Sequence, residues 1–377
     1  MSELENQPME ENTPENNEMN SDTPNQPEAA THHSTEENQE ATPSPESPEQ
    51  PAEAPVAEAV DPRWKKIADS ADAIKAEIGK IVVGQEGLLD ALLVGLLAGG
   101  HTLIEGVPGI AKTLTAKMMA KSLELDFSRV QFTPDLMPSD VVGTNIFNVS
   151  NSKFEFVEGP VFSQVVLIDE INRAPAKTQS ALFELMEEYQ VSIDGVTYPM
   201  AKPFFVLATQ NPLEQEGTYR LPEAQMDRFL FRIVLDYPNY DSEVEILHRF
   251  KSDFTQTVSQ EVKSILKGED IIKMQKDIME VAIEDSLVAF IAQIVTKTRN
   301  HPDLFLGASP RASLAILKAS KAHAALRGRG FVTPDDIVAM ALPALNHRVV
   351  LSPEKEMEGY SPNEVLQAII DTVDIPR

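Results

Sequence analysis

There is no cysteine in this chain of 377 residues, which removes disulfides, thiolate metal sites and cysteine nucleophiles from consideration. Nor is there an apolar stretch long enough to span a bilayer. The most apolar run, Gly87 to Ala98, is short and interrupted by Asp90, as expected of a buried helix. The opening MSELENQPMEEN has neither the basic nor the apolar region of a secretory signal. The expectation is a cytoplasmic, soluble protein with no membrane span. Positive charge is scarce too: 32 basic residues stand against 59 acidic ones, for a net charge of −27. That balance argues against an intrinsic nucleic-acid-binding surface, because neutralised phosphates supply most non-specific affinity. No Asn-Lys-x-Asp run is present to read guanine, so GTP is disfavoured.

The scarcity is concentrated at one end. Residues 1–62 contain no Lys, Arg, Gly or aromatic residue, while Pro, Glu, Asn, Gln and Thr dominate. Such a segment cannot bury enough surface to offset its ordering entropy, and it reads as a disordered acidic tail. His32-His33 within it reads as solvated rather than metal-binding. Folded structure is expected from Arg63, with Trp64, Ile67, Ala68, Ala71, Ile74 and Ile78 at helical spacing.

The chain is organised around His101 to Leu123. A short apolar strand, Thr102 to Ile104, runs into the turn Gly106-Val107-Pro108-Gly109-Ile110-Ala111, and Lys112-Thr113-Leu114 opens a helix. Backbone N–H groups of such a turn converge where the helix dipole also favours an anion, which makes a phosphate cradle. Gly106 lets the chain leave the strand, and Gly109 keeps a Cβ away from the phosphates. Lys112 would reach the β- and γ-phosphates, and the Thr113 hydroxyl would sit on Mg²⁺. The general motif has Gly where this chain has Ala111, tolerable if that residue has a helix-like φ. An ordinary strand-to-helix turn would read the same in isolation. Val83-Gly84, just upstream, is either a turn between two helices or an apolar wall for a nucleotide base.

Further strands are expected at Ser128 to Phe132, Val165 to Ile168, Phe204 to Ala208 and Arg232 to Leu235. Two hairpins are expected as well: Asn145 to Val149 with Lys153 to Val157, and Val191 to Ile193 with Val196 to Tyr198 across Asp194-Gly195. Val165-Val166-Leu167-Ile168 ends in Asp169-Glu170, and acidic residues at the carboxyl end of a buried parallel strand sit where ligands bind in open α/β sheets. Asp169 would hold Mg²⁺ and Glu170 would polarise an attacking water. Asn211, ending the next strand, either orients that water or caps a turn before Pro212. Beyond Tyr237-Pro238 the pattern becomes wholly helical. Ser309 caps a helix that starts at Pro310, which puts Arg311 in its first turn, where a cation is unfavourable unless an anion such as a nucleotide phosphate lies opposite.

With these pieces in order, residues from about Ile81 to His347 resemble the MoxR family of AAA+ ATPases. The resemblance rests on GVPGIAKT (Gly106 to Thr113), DEINRAPAKTQ (Asp169 to Gln179), FFVLATQNPLEQEGTY (Phe204 to Tyr219), LPEAQMDRF (Leu221 to Phe229) and GASPRA (Gly307 to Ala312). It implies an α/β fold: an αβα ATPase core with a parallel sheet over 63–238, then an all-helical lid over 239–377. It further implies ATP and Mg²⁺, Walker A at Lys112 and Thr113, Walker B at Asp169 and Glu170, and sensor one at Asn211. Arg311 is similar to the sensor-two arginine. Arg228 resembles an arginine finger supplied to the neighbouring subunit, with Arg220 and Arg232 nearby as rivals; Arg173 is shared with the family without a role. A hexameric ring, chaperone-like work on client protein complexes and a von Willebrand factor A domain partner are what the resemblance implies. Two alternatives remain on the same fold: a nucleic-acid remodeller or metal-chelatase motor, and a nucleotide-regulated binding module with little turnover.

Overall fold

Asp61 begins the ordered description of the chain: the computed structural model describes residues 61–212, 218–219, 221–251 and 262–376. The tail expected over 1–62 lies outside the described residues but for its last two, and Arg220 lies outside them as well.

The first helix, α1 (Pro62–Gly79), starts at Asp61, whose carboxylate accepts from the Arg63 N–H at 2.9 Å, with Pro62 in the first turn. Its stripe of Trp64, Ile67, Ala71, Ile74 and Ile78 is buried. Next comes α2 (Glu86–Leu97), apolar on nearly every side and accordingly buried. The sheet region contains β1 (Thr102–Gly106), α3 (Lys112–Ser122), β2 (Phe127–Gln131), α4 (Pro138–Val142), a hairpin of β3 (Gly143–Asn148) and β4 (Lys153–Glu158), β5 (Val165–Asp169) and α5 (Ala176–Glu188). A second hairpin of β6 (Gln190–Ile193) and β7 (Val196–Pro199), then β8 (Phe205–Gln210), α6 (Glu223–Met226) and β9 (Phe231–Leu235), complete it. After these come α7 (Tyr240–Phe250), α8 (Gly268–Met279), α9 (Asp285–Arg299), α10 (Pro310–Leu326), α11 (Pro334–Leu345), α12 (Pro353–Met357) and α13 (Pro362–Asp371). Among the described residues this C-terminal part is helical but for one ribbon, β10 (Leu304–Leu306) against β11 (Val350–Leu351). The helical lid expected from the sequence is thus present, and the ribbon is a short addition to it, two runs too short for a helix that pair instead.

Five parallel strands form the main sheet in the order β2-β5-β8-β1-β9. The chain leaves β1, crosses to the far edge at β2, and returns through β5 and β8 before β9 closes the other side. That reversal puts the carboxyl ends of β1, β5 and β8 at a topological switch point, where α/β sheets bind ligands. The three inner strands, β5, β8 and β1, are buried on both faces. Val165, Leu167, Phe205 and Leu207 pack with α1, α2, α3 and the C-terminal helices. Val166, Ile168, Val206 and Ala208 point the opposite way, toward α5 and Met200, as the two-residue period of a strand requires. Because Trp64, Ile316, Ala319 and Ile337 belong to the same apolar cluster as the sheet's inner face, the lid and core share one interior. Among the described residues no helix is long and apolar enough to cross a membrane.

The entrance to β1 carries a buried titratable group. His101 Nδ1 accepts from the Val206 N–H at 3.0 Å, so its Nε2 donates to the Met186 carbonyl at 3.1 Å and the ring is neutral. Burial pushes its pKa down to about 4, against the smaller opposing pull of Met186. The unfolded chain takes up this proton near pH 6.5, whereas the folded protein resists it until about 4. Stability present above 6.5 is therefore lost as pH falls toward 4, by about 3 kcal/mol for this group. His347, lowered by burial in the same direction, adds to the loss. The midpoint of urea unfolding should fall steadily between pH 6.5 and 4.5; a flat profile would mean that His101 is charged in the fold.

Candidate active site

The turn between β1 and α3 is built by local conformation. Gly109 has φ +88° with open space around it, so its glycine is required by the backbone. Gly106 has a different reason from the one its position in the turn suggests. A Cβ there would lie 2.9 Å from the Leu235 carbonyl of β9 and 2.8 Å from Ile110 Cδ1, so close strand packing excludes a side chain. Ile110 is buried beneath the turn, and Val107 and Pro108 ride above it more exposed. Ala111 does not have the helix-like φ that would make alanine free of cost: at φ 64°, ψ 18° it is left-handed. That geometry costs an alanine on the order of 1–2 kcal/mol, and strain of this kind collects at functional turns. The Ala111 carbonyl accepts from the Thr115 N–H at 2.9 Å and the Thr115 hydroxyl at 3.0 Å, which ties the strained residue to the helix.

The turn opens onto a cavity of about 380 Å³ at the carboxyl edge of the sheet. Pro108, Gly109, Ala111, Lys112, Thr113 and Leu114 form one wall, with Arg129, Gln131, Asp169, Glu170, Thr209 and Asn211 opposite. Lys112 folds back so that Nζ donates to the Gly106 carbonyl at 2.6 Å. Half-burial lowers its pKa, partly offset by Asp169, Glu170 and Glu105. Asp169 accepts from Arg129 Nε at 2.5 Å through one oxygen and from the Thr209 hydroxyl at 3.2 Å through the other. Glu170 sits at φ 57°, and its N–H donates to Thr209 Oγ1 at 3.1 Å. Its Oε2 accepts from Gln131 Nε2 at 2.7 Å and lies 3.0 Å from Arg173 Nε. Arg173, without an assigned role from sequence, is thus Glu170's cation.

Arg129, Gln131 and Thr209 are the site residues that sequence reasoning missed. Thr209 stands on β8 beside Asp169; the other two lie on β2, where Gln131 is the register partner of Asp169. A polar residue at the carboxyl end of that strand was the available signal. The donor set suits the groups it is asked to hold. Convergent N–H groups and an ammonium suit phosphates, and a hydroxyl with one carboxylate is how Mg²⁺ is bound alongside a substrate's own oxygens. A divalent cation would compete with Arg129 for Asp169.

Four expected site residues lie elsewhere. Val83 and Gly84 are not among the residues that line this cavity; a Cβ on Gly84 would meet Ser242 of α7 at 2.7 Å, so this turn packs on the helix after β9. Arg311 does not line it either; the residues that do all belong to the sheet region. Arg311 Nη2 donates to Glu187 Oε1 at 2.7 Å, and Arg228 Nη1 pairs with the other oxygen of the same carboxylate. Both line a second cavity of about 260 Å³. The reason is an anchor at the start of α10: the Ser309 hydroxyl donates to Asp227 Oδ2 at 3.0 Å, fixing Arg311 beside the turn that carries Arg228. Of the rival arginines, Arg232 is bound to Glu105 at 2.6 Å and to the Asn346 carbonyl at 3.3 Å, a tie between strand and lid.

Residues 101–231 match the model of the ATPase family associated with various cellular activities, and residues 296–369 that of the AAA lid domain. Among curated proteins, Chaperone MoxR1 of Mycobacterium tuberculosis is 43% identical, over 80% of this chain and 81% of its own length. Protein MoxR of Methylorubrum extorquens is 30% identical over 82% of this chain and 96% of its own. A similar fold is found in a solved candidate ATPase from Cytophaga hutchinsonii, at TM-score 0.78 and 43% identity, covering 84% of this chain and 98% of that one. With the switch-point sheet, the turn after β1 and the acidic end of β5 in place, these likenesses over most of the chain assign it: the protein belongs to the MoxR family of AAA+ ATPases.

Proposed function

We propose that the protein is an Mg²⁺-dependent ATPase whose turnover drives chaperone-like remodelling or maturation of client protein complexes. The observation that carries the reading is the meeting of Lys112, Thr113, Asp169, Glu170 and Asn211 on one cavity at the sheet's switch point. Lys112 and the turn's N–H groups would hold the phosphates, and Thr113 and Asp169 the Mg²⁺. Glu170 would polarise the attacking water, with Asn211 orienting it. Chaperone-like work draws on the naming of Chaperone MoxR1; a hexameric ring and a von Willebrand factor A domain partner rest on the family alone. The first hairpin supports a protein client: Phe147 and Phe154 stack edge to face at 5.3 Å while remaining 47% and 71% exposed, flanked by exposed Ile146 and Val157.

A nucleotide-regulated binder with little turnover is favoured by one observation. Asp169 and Glu170 are both engaged by side-chain cations in this structure. Steady-state phosphate release separates the readings, since the binder would release almost none at saturating ATP. Nucleotide grip is tested with Lys112→Ala. It should lose ATP binding by about tenfold or more in Kd, measured by equilibrium titration with Mg²⁺, because a charge-assisted contact contributes about 1.5–3 kcal/mol. Unchanged affinity would move the phosphates away from this turn.

A further inference from the structure

Three glutamates, Glu184, Glu187 and Glu188, crowd the last turn of α5, which has no basic residue. Negative charge is unfavourable at the carbonyl end of a helix, so this turn needs cations from other parts of the chain. They arrive at Glu187. Its Oε2 takes Arg228 and its Oε1 takes Arg311, so both oxygens of one carboxylate are used by two guanidiniums far apart in sequence. Arg348, in the same cavity, is neutralised separately by Asp227 at 2.6 Å. Lys318 also lines it, which leaves the cavity net positive. Arg228 and Arg311 repel: Arg228's pKa is lowered first by burial and then by Arg311, with Glu184 opposing. Arg228 Nε is buried with no acceptor among the described residues, a state that costs about 1–3 kcal/mol and leaves the cavity short of an anion.

We infer that Glu187 is a positioning residue, whose carboxylate holds Arg228 and Arg311 side by side as one clamp for a phosphate presented by the neighbouring subunit. The inference rests on the reading that Arg228 acts across a subunit boundary. Without Glu187 the two like charges separate, and the clamp must be assembled during each turnover.

Glu187→Gln keeps the shape, removes the charge and turns an N–H₂ toward one of the arginines. Its kcat should fall by about 10²-fold, the scale of a misplaced catalytic group, with the ATP Kd from equilibrium binding and the melting temperature close to wild type. Glu187→Asp should recover part of the rate. The decisive arm is subunit mixing, with co-assembly verified by differential tags. Glu187→Gln mixed with Glu170→Gln should regain activity, because some interfaces then combine an intact Glu170 with an intact clamp. Glu187→Gln mixed with Arg228→Ala should not, since every clamp is defective. A wild-type rate for Glu187→Gln, or recovery in that second mixture, overturns the role of Glu187 alone. Failure of Arg228→Ala to recover with Glu170→Gln overturns the shared-site reading beneath it.

Discussion

Glu170→Gln binds ATP with near wild-type affinity and hydrolyses it at least about 10²-fold more slowly. The size follows from removing a group that accepts a proton or polarises water in the transition state, worth about 10²–10⁴ in rate. Grip should survive because the phosphate contacts come from the other wall, the turn after β1. Glutamine also keeps an oxygen for Gln131 and Arg173, which now engage Glu170 Oε2, and it leaves the backbone at φ 57° supported by the Thr209 hydroxyl. Single-turnover phosphate release together with equilibrium nucleotide binding checks both halves. A variant that hydrolyses at the wild-type rate would remove Glu170 from the chemistry. The slow, ATP-loaded form is also the one in which to seek clients, since complexes that hydrolysis would release should then persist.

Arg228→Ala should be slower still, by about 10³–10⁵, the range for a lost arginine finger, again with ATP bound. Negative charge spreads over the γ-phosphoryl oxygens in the transition state. Within one subunit Lys112, a cation at Thr113 and Asp169, and Arg129 stand at the cavity to meet it, and Arg228 lines a different cavity from theirs. A subunit's own Arg228 therefore does not face its own nucleotide in this geometry. Mixing Arg228→Ala with Glu170→Gln should restore part of the activity in assemblies shown to contain both. A fully active monomer would exclude the role outright.

Much of this was legible in the sequence because the signals are local. Strand positions, both hairpins and the Ser309 cap depend on neighbours a few residues apart, and each is found where its pattern lies. Asp169 and Glu170 could be placed at a sheet edge because a run such as Val165 to Ile168 is buried on both faces in a parallel sheet. The pairing of Arg228, Arg311 and Glu187 could not be read this way. It joins α5, the turn after α6 and the start of α10 through tertiary packing, and no periodicity records such a meeting. Ala111 misled in another manner: alanine favours helix, and only the closed turn shows that it is held at positive φ. Val83-Gly84 carries turn chemistry but no information on which neighbour the turn will pack against.

The sharing of one interior by the two ends of the chain has a consequence for biosynthesis. Trp64 lies so close to Gly330 that a Cβ there would come within 2.3 Å of the indole nitrogen. The apolar stripe of α1 is thus completed by residues made long after it. At about 5–20 residues per second the ribosome takes roughly 13–53 s to reach Gly330 after Trp64 has been joined. For that interval Trp64 has been made without the Gly330 segment that packs on its indole. The nascent chain is then a client for whatever shields apolar surface in the cell, before it has formed the site through which it would act on clients of its own.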